Sequence, residues 1–539
     1  MAAPFSNANE PFGSARLAGP EDAARAGLFT REPHSLLVGF IGNQPLWYSG
    51  MGGAVCIAGA RSGKLRDLLA YNICCGIHTP SMVILDVKGE LAAISRWQVP
   101  DGKFCIYWNP TGLHGIRGSR INPVGHIRKD SPTLVPDLKI YIENTIAPSG
   151  AAQGRFFEGR ARELVEGICL TIVEINGVLT LPDLYYAINL VVAGGEAWLD
   201  FAFEMSECGY DIAVRTEAEI ASAREDSSGG FKGILGEITR AYSCLSDPVL
   251  LASVSPPFDF CLSKLCESDQ TYQLYLMPPS DFVEAWAPVI KAMLVAARTY
   301  KARAPSAPRQ TWVLDECGNL AGPQSGEFPL LLRLFTRDAG LGIRPWAFFQ
   351  SVKQMKMLGA DGDTVILSSA ALQNWFGVRD LETATMLSRM LGHETLRYRD
   401  EQRREAARHA RIMAAQSLFG GGDPFRAGLE MAHQARMATV PLLKGRPLRT
   451  PDEILNTPPG KQYIFADGLN GPIYADRRAY YEQPFMAGRF HPNPYHPPQS
   501  HVQVMTPRGP QWRLVVVEPV PKRFSHYPQY RDGTWSRIA

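Results

Sequence analysis

The stretch "CIAGARSGKLRDLLAYN", residues 56–72, decides the fold. It contains a short apolar run that ends in glycine and then a helical pattern, the setting of a phosphate-binding loop of the form G-x-x-x-x-G-K-[ST]. Gly63 and Lys64 stand at their usual positions, whereas Ala58 replaces the first glycine and Leu65 replaces the final serine or threonine. The stretch therefore predicts a strand, a phosphate loop and a helix, with two departures from the usual pattern.

The two departures differ in their expected effect on nucleotide and Mg²⁺ binding. In such a loop, backbone N–H groups and a helix N-terminus surround the phosphates, and the lysine adds a mobile charge. Ala58 costs little if its φ angle is negative. Leu65 matters more, because the usual hydroxyl contributes to Mg²⁺ binding, so water or another side chain must replace it. We predict that ATP is bound by Gly59, Ala60, Arg61, Ser62, Gly63, Lys64 and Leu65.

A second apolar run, "WVLDE" at 312–316, ends in two carboxylates. In open parallel sheets, ligands bind at the carboxyl ends of the strands. Asp315 is therefore predicted to hold Mg²⁺ through bound water, and Glu316 to polarise the attacking water as general base. The alternative is that this pair only caps the following turn. Gln350, which ends the strand "WAFFQ", is either a sensor of the γ-phosphate or a surface residue.

Strands alternate with helices before residue 110 and again after residue 271, which indicates an α/β fold with a doubly wound, mostly parallel sheet. Between them, apolar residues recur at helical spacing and strand signals are few. The predicted limits are 1–154 and 256–481 for the two parts of a nucleotide-binding domain, 155–255 for an inserted all-α domain, and 482–539 for an extended tail rich in proline and histidine.

Composition excludes several classes of protein. A net charge of +2 over 539 residues gives no general attraction to nucleic acid, so such contact requires local patches. The arginines of 397–411 form one patch, which either follows a phosphate backbone or is a solvated helix face. The ten cysteines contain no C-x-x-C pair, which favours reduced thiols over a zinc site. Polar residues interrupt the uncharged span 35–60, so we predict short strands there and no transmembrane helix in this chain.

Nine separated stretches, in order, resemble one family, the coupling proteins of type IV secretion (the TraG-like conjugative DNA-transfer ATPases). The stretches are "GSARLAGPEDAARAGLF" (13–29), "AGARSGK" (58–64), "ILDVKGELAAIS" (84–95), "INPVGHI" (121–127), "GRFFEGRARELVEGI" (154–168), "WVLDECGNL" (312–320), "FFQSVKQM" (348–355), "LSRMLGHET" (387–395) and "GRPLRTPDEILNTPPGKQYIF" (445–465). The phosphate loop resembles that of the family, in which alanine at the first position and a residue other than serine or threonine after the lysine are tolerated.

The resemblance implies a RecA-like P-loop nucleotide domain with an inserted all-α domain that meets the substrate, working as a homo-hexamer. It implies ATP and Mg²⁺ as cofactors. It also implies that ATP hydrolysis is coupled to delivery of DNA, relaxase–DNA complexes or protein substrates to the components of a type IV secretion system. Lys64 would then bind the phosphates, Asp315 and Glu316 would be the metal and hydrolysis carboxylates, and Gln350 the sensor.

The family commonly carries N-terminal membrane helices, and this chain begins almost directly at its "GSAR" segment. We therefore expect a cytoplasmic protein, with peripheral contact at the cytoplasmic face of the inner membrane left open. Two alternatives to an ATP-driven motor remain. One is a substrate-receptor scaffold that binds nucleotide but hydrolyses it poorly, and the other is a chromosome-segregation pump, which the tail disfavours because it shows no winged helix.

The sequence leaves two further questions open. The cargo could be DNA or protein. The arginine that acts on a neighbouring subunit's site is not identified among four candidates near predicted element ends, which are Arg240, Arg333, Arg337 and Arg379.

Overall fold

A computed structural model describes most of the chain, and the fold is α/β, as the sequence predicts. The described residues are 10–74, 78–96, 103–146, 154–225, 230–322, 325–398, 401–420, 423–439, 442–495, 500–526 and 533–539. Within them, an eleven-stranded sheet has the order β2-β1-β13-β12-β9-β3-β8-β7-β4-β6-β5. Its strands are β1 (Leu36–Ile41), β2 (Gln44–Tyr48), β3 (Gly53–Ala58), β4 (Ser81–Leu85), β5 (Lys103–Trp108), β6 (Thr271–Leu276), β7 (Gln310–Leu314), β8 (Ile343–Phe349), β9 (Ala370–Phe376), β12 (Lys461–Ala466) and β13 (Ile473–Asp476).

The part of the sheet from β9 to β5 is parallel throughout. Its central strands are mostly apolar and are buried along their whole length, as expected for a sheet covered on both faces. β12 pairs antiparallel with β9, and β1 pairs antiparallel with both β13 and β2. The predicted doubly wound, mostly parallel sheet is confirmed, with antiparallel strands added at one edge.

Helices fill the connections between the strands. They are α1 (Pro20–Arg25), α2 (Ala70–Ile73), α3 (Glu90–Ile94), α4 (Leu134–Thr145), α5 (Gly154–Asn176), α6 (Leu181–Ala193), α7 (Glu196–Ser206), α8 (Asp211–Glu225), α9 (Gly230–Tyr242), α10 (Pro248–Ser253), α11 (Ala287–Arg303), α12 (Pro329–Thr336), α13 (Val352–Lys356), α14 (Gly362–Ser369), α15 (Leu381–Leu391), α16 (Glu401–Phe419), α17 (Pro424–Thr439) and α18 (Pro451–Leu455). None of these helices, within the described residues, has the length and apolar character needed to cross a membrane.

The connection between β5 and β6 is mostly helical, from α5 to α10. α6 begins where the sequence indicates, because the Thr180 hydroxyl caps the helix by accepting a hydrogen bond from the Asp183 N–H at 3.3 Å. This is the region in which periodicity predicts an all-α insertion. The predicted domain limits remain a prediction. The two compact units of the structure have different limits.

The chain divides into two compact units. The larger unit comprises residues 20–378, 458–469 and 474–539. The smaller unit is built from 379–457, 470–473 and the described part of residues 1–19. In the smaller unit, β10 (His393–Tyr398) and β11 (Leu442–Pro447) form an antiparallel ribbon, and α16 and α17 pack on each other between them in sequence. Four arginines of the predicted cluster lie on α16, and Arg399 lies outside the described residues.

The C-terminal tail contains a small sheet that the sequence analysis does not predict. Within the described residues, β14 (His501–Thr506), β15 (Gly509–Pro519) and β16 (Thr534–Ile538) form a three-stranded antiparallel sheet. The physical reason is visible in "HVQVMT", where apolar and polar residues alternate with the period of a strand. The proline and histidine content of the preceding residues obscures this pattern, since such composition is typical of an extended chain.

The loop after β4 buries two carboxylates, Asp86 and Glu90, whereas Lys88 between them is exposed. The Asp86 carboxylate, 3% exposed, accepts a hydrogen bond from the Ala92 N–H at 2.7 Å. The Glu90 carboxylate accepts one from the Asn493 amide at 2.6 Å. Burial raises the pKa of Asp86 to about 7, although backbone hydrogen bonds from the start of α3 oppose this shift.

The raised pKa makes the stability of the protein depend on pH. Between the ordinary pKa of aspartate and about 7, the folded state holds a proton on Asp86 that the unfolded state has lost, so stability falls as pH rises. We expect the difference in unfolding temperature between the wild type and Asp86→Asn to move in favour of the variant between pH 5 and pH 8. The exposed Asp281, replaced in the same way, controls for net charge. A difference that is constant with pH, or moves the other way, contradicts this assignment.

Candidate functional site

The predicted site residues follow three neighbouring strands. In the order β3-β8-β7, the loop 59–64 follows β3, Gln350 follows β8 and Asp315 follows β7. The three strands are parallel, so their carboxyl ends lie at the same edge of the sheet. The fold therefore brings the predicted residues to the edge where ligands of open α/β sheets bind.

The backbone of the loop turns through two residues with positive φ. Arg61 has φ 56° and Gly63 has φ 93°. A Cβ atom at position 63 would lie 2.8 Å from Oδ2 of Asp67, so the position requires glycine for both conformation and space. Leu65, half-buried, begins a single π-helical turn, Leu65–Leu69, which leads into α2. The predicted strand, loop and helix are all present.

Lys64 of the loop forms an ion pair with Asp315, which follows β7. Its Nζ lies 3.4 Å from Oδ1 of Asp315, which is longer than a strong charge-assisted hydrogen bond. Burial opposes the charge of the lysine, but Asp315, and more weakly Glu316, attract it, so that the pKa of Lys64 is raised above its ordinary value. The ammonium group is therefore charged and lies beside the Asp315 carboxylate.

Asp315 and Glu316 directly follow β7 and differ in backbone conformation. The Asp315 side chain is 23% exposed, and its Oδ1 accepts a hydrogen bond from the Glu316 N–H at 3.1 Å. Glu316 has φ 52° and ψ 29°, a left-handed conformation that is uncommon for a residue with a side chain. Such strain is retained mainly where a side chain must have one particular direction.

Gln350 is half-buried and directly follows β8. Its N–H donates a hydrogen bond to the side-chain oxygen of Gln354 at 2.7 Å, which ties the strand end to α13. It therefore lies between the loop and the carboxylates in the order of the strands. Its role as a sensor remains a prediction.

The donors of the loop fit a phosphate group. Among the described residues, Lys64 Nζ and Ser62 Oγ are buried side-chain atoms without a hydrogen-bond partner. Backbone N–H groups of Gly63 and Lys64 likewise have no partner in the part of the chain that is described. Buried donors are normally satisfied, and several that converge on one loop suit an anion with many acceptor oxygens. Carboxylate oxygens such as those of Asp315 suit Mg²⁺, whereas Leu65 offers it no ligand.

Two residues of the site were not predicted from the sequence. Arg477, which follows β13, donates hydrogen bonds to the Ser62 carbonyl at 2.6 Å and to Oδ2 of Asp67 at 2.8 Å. Gly377, which follows β9, has φ 57°, and a Cβ there would lie 2.5 Å from Cβ of Ser62. The available signals were weak: a charged Asp67 within an apolar helix pattern, and a pair of arginines directly after a strand.

Two of the four candidates for the trans-acting arginine form ion pairs within the chain. Arg240 forms an ion pair with Glu237 at 2.6 Å, and Arg333 forms one with Glu143 at 2.8 Å. Both arginines are partly exposed.

Comparison with known structures supports the fold. The chain is similar to the bacterial conjugative coupling protein TrwBdeltaN70 in its unbound form, with a TM-score of 0.60 at 16% identity, covering 89% of this chain and 96% of that one. It is also similar to the plasmid coupling protein TrwB in complex with ADP and Mg²⁺, with a TM-score of 0.59 at 15% identity and the same coverage. At such low identity the likeness establishes the fold alone.

Comparison of sequences identifies the family. The chain is 26% identical over 547 aligned positions to the conjugal transfer protein TraG of Escherichia coli, which covers 90% of this chain and 79% of that protein. The family described as Type IV secretory system Conjugative DNA transfer matches residues 21–416, well over half of the chain. This chain therefore belongs to the Type IV secretory system Conjugative DNA transfer family, the coupling proteins of type IV secretion.

Proposed function

We propose that the chain is a P-loop ATPase that couples ATP hydrolysis to the transfer of DNA or nucleoprotein into a type IV secretion channel. The observation that carries this proposal is the buried Lys64 ammonium, without a hydrogen bond in the described residues, 3.4 Å from Asp315. The family to which the chain belongs agrees with this proposal. The ADP and Mg²⁺ in the complex of the similar protein TrwB agree with it as well.

The loop residues 59–65 would bind the phosphates of ATP. Their N–H groups and the Lys64 ammonium neutralise the β- and γ-phosphates, so the lysine exchanges its partner Asp315 for the nucleotide. Asp315 would hold Mg²⁺ through bound water, because position 65 has no hydroxyl. When bound, the metal offsets charge that develops on the transferred phosphoryl group.

Glu316 would be the general base. Its left-handed backbone turns the side chain relative to that of Asp315, so that the two neighbouring carboxylates can serve different functions. Glu316 accepts the proton of the attacking water, and Gln350 helps to position that water. Both roles are part of the proposal.

The assembly and its partners follow from the family by analogy. We propose a homo-hexamer in the active state, with an arginine of one subunit at the site of the next. The helical region from α5 to α10 would meet the DNA or the relaxase–DNA complex. Contact with secretion components at the cytoplasmic face of the inner membrane would then be peripheral for the residues of this chain.

A receptor scaffold with little hydrolysis is the second candidate, and one observation favours it. Leu65 places a half-buried isobutyl group where a metal-binding hydroxyl is usual. Tight ATP binding with negligible turnover, together with capture of a protein substrate, would identify the scaffold.

ATP hydrolysis by the purified full chain, with and without single- and double-stranded DNA, tests the first candidate. We expect DNA-stimulated turnover that Lys64→Ala abolishes and that Glu316→Gln lowers by about 100-fold or more with ATP binding retained, because the base acts only in the chemical step. Exposed residues supply the controls Lys264→Ala and Glu284→Gln, which should hydrolyse ATP at the wild-type rate. Turnover in Glu316→Gln equal to that of the wild type would remove Glu316 from the mechanism.

The metal dependence of turnover tests the role of position 65. A hydroxyl in Leu65→Ser would contact Mg²⁺ directly, so the Mg²⁺ concentration for half-maximal turnover should fall several-fold, by about tenfold at most. Leu65→Ala is the matched control, because it removes the same bulk without adding a ligand. If the alanine and serine variants behave alike, bulk and not the missing hydroxyl distinguishes this loop.

A further inference from the structure

Arg477 is buried against the phosphate loop, although it lies far from the loop in sequence. Its side chain is 3% exposed, and it forms an ion pair with Asp67, which is fully buried. The guanidinium group also lies over the ring of Phe376, with Cζ 4.1 Å from the ring centroid. Phe376 ends β9 and precedes Gly377, the residue that allows β9 to approach Ser62.

The hydrogen bonds of Arg477 end on backbone as well as on Asp67. Nη1 donates to both the Ser62 carbonyl and the Asp67 carboxylate, at 2.6 and 2.8 Å. Nε donates to the carbonyl of Lys461 at 3.2 Å, and Nη2 donates to the carbonyl of Pro459. The arginine therefore connects the β12 segment to the loop, and its planar fork satisfies several acceptors at once.

The bond to Ser62 fixes the direction of a neighbouring donor. The Ser62 carbonyl and the Gly63 N–H belong to one peptide unit, which is planar and trans, so they point in opposite directions. Since the carbonyl is held on Arg477, the Gly63 N–H is directed away from it. Gly63 N–H has no hydrogen-bond partner among the described residues, and the next residue is Lys64.

Asp67 secures the next peptide unit, between Gly63 and Lys64. Its N–H donates to the Gly63 carbonyl at 2.9 Å, and its carboxylate accepts from Arg66 Nε at 2.6 Å as well as from Arg477. With glycine at position 63, the peptide would otherwise be free to rotate, because glycine has the widest choice of backbone conformations. The carbonyls on both sides of Gly63 are therefore each held by a charged or hydrogen-bonded partner.

We propose that Arg477 is a positioning residue for the phosphate loop, which holds the Ser62–Gly63 peptide so that the Gly63 N–H is pre-oriented toward the phosphates of the nucleotide. This proposal rests on the proposed ATP-binding function. Arg477 itself does not touch the nucleotide; it acts through the Ser62 carbonyl and Asp67.

Discrimination between ADP and adenosine measures this role, because only ADP has phosphates that the loop can bind. Calorimetric titration of the full chain with each ligand in Mg²⁺ gives the ratio of the two affinities. We expect Arg477→Met to lower that ratio by about tenfold or more, the scale expected when a charge-assisted hydrogen bond no longer holds a donor in place. The matched control is Arg478→Met, since Arg478 is the next residue and packs on Phe40, with Cζ 5.7 Å from the ring centroid; its ratio should be that of the wild type.

Arg477→Lys separates positioning from stability. Lysine can pair with Asp67 but lacks the planar fork, so unfolding temperature should recover more fully than the ratio of affinities. An unchanged ratio in either folded variant would overturn the proposal, even if stability is lost. Failure of both variants to fold would also overturn it, since Arg477 would then be a residue of the fold. A wild type that does not prefer ADP to adenosine would instead overturn the proposed ATP-binding function.

Discussion

The attraction between Lys64 and Asp315 depends on the order of three strands. The loop after β3 and the carboxylate after β7 are far apart in sequence, and a parallel sheet with β8 between them brings Nζ and Oδ1 to 3.4 Å. In the absence of phosphate, this ion pair offsets part of the cost of burying the ammonium group. The resting pair therefore keeps a charged lysine ready at the loop.

Residues from other segments hold the backbone of the loop around this pair. Several donors of the loop are left without hydrogen-bond partners in the described residues. Arg477, which follows β13, and Asp67, in the π-helical turn, hold the loop, and Gly377 allows close approach of β9. These contacts hold carbonyl groups, whereas the N–H groups of Gly63 and Lys64 and the Lys64 Nζ atom have no hydrogen-bond partner in the described residues. A loop that is rigid on one side and unsatisfied on the other needs little reorganisation to bind an anion, which is the general basis of electrostatic preorganisation.

The sequence was sufficient for local features and for the mostly parallel character of the sheet. Gly63, Lys64 and the apolar strands are read from short patterns whose physical causes are local, as is the cap at Thr180. The ion pair of Asp67 with Arg477 could not be predicted, because neither spacing nor composition relates residues so distant in the chain. The compact unit of 379–457 was not predicted because packing and not local propensity defines it. The tail sheet from β14 to β16 was not predicted because the proline and histidine residues before it obscure the alternation in β14.

The central claim is that Lys64 and the loop after β3 bind nucleotide phosphates. An experimental structure of the full chain with a non-hydrolysable ATP analogue and Mg²⁺ tests it most directly. The account predicts that the phosphates contact the N–H groups of the loop and that Lys64 Nζ moves from Asp315 to a phosphate oxygen. A nucleotide bound elsewhere on the chain, with the 3.4 Å contact between Lys64 and Asp315 unchanged, would contradict it.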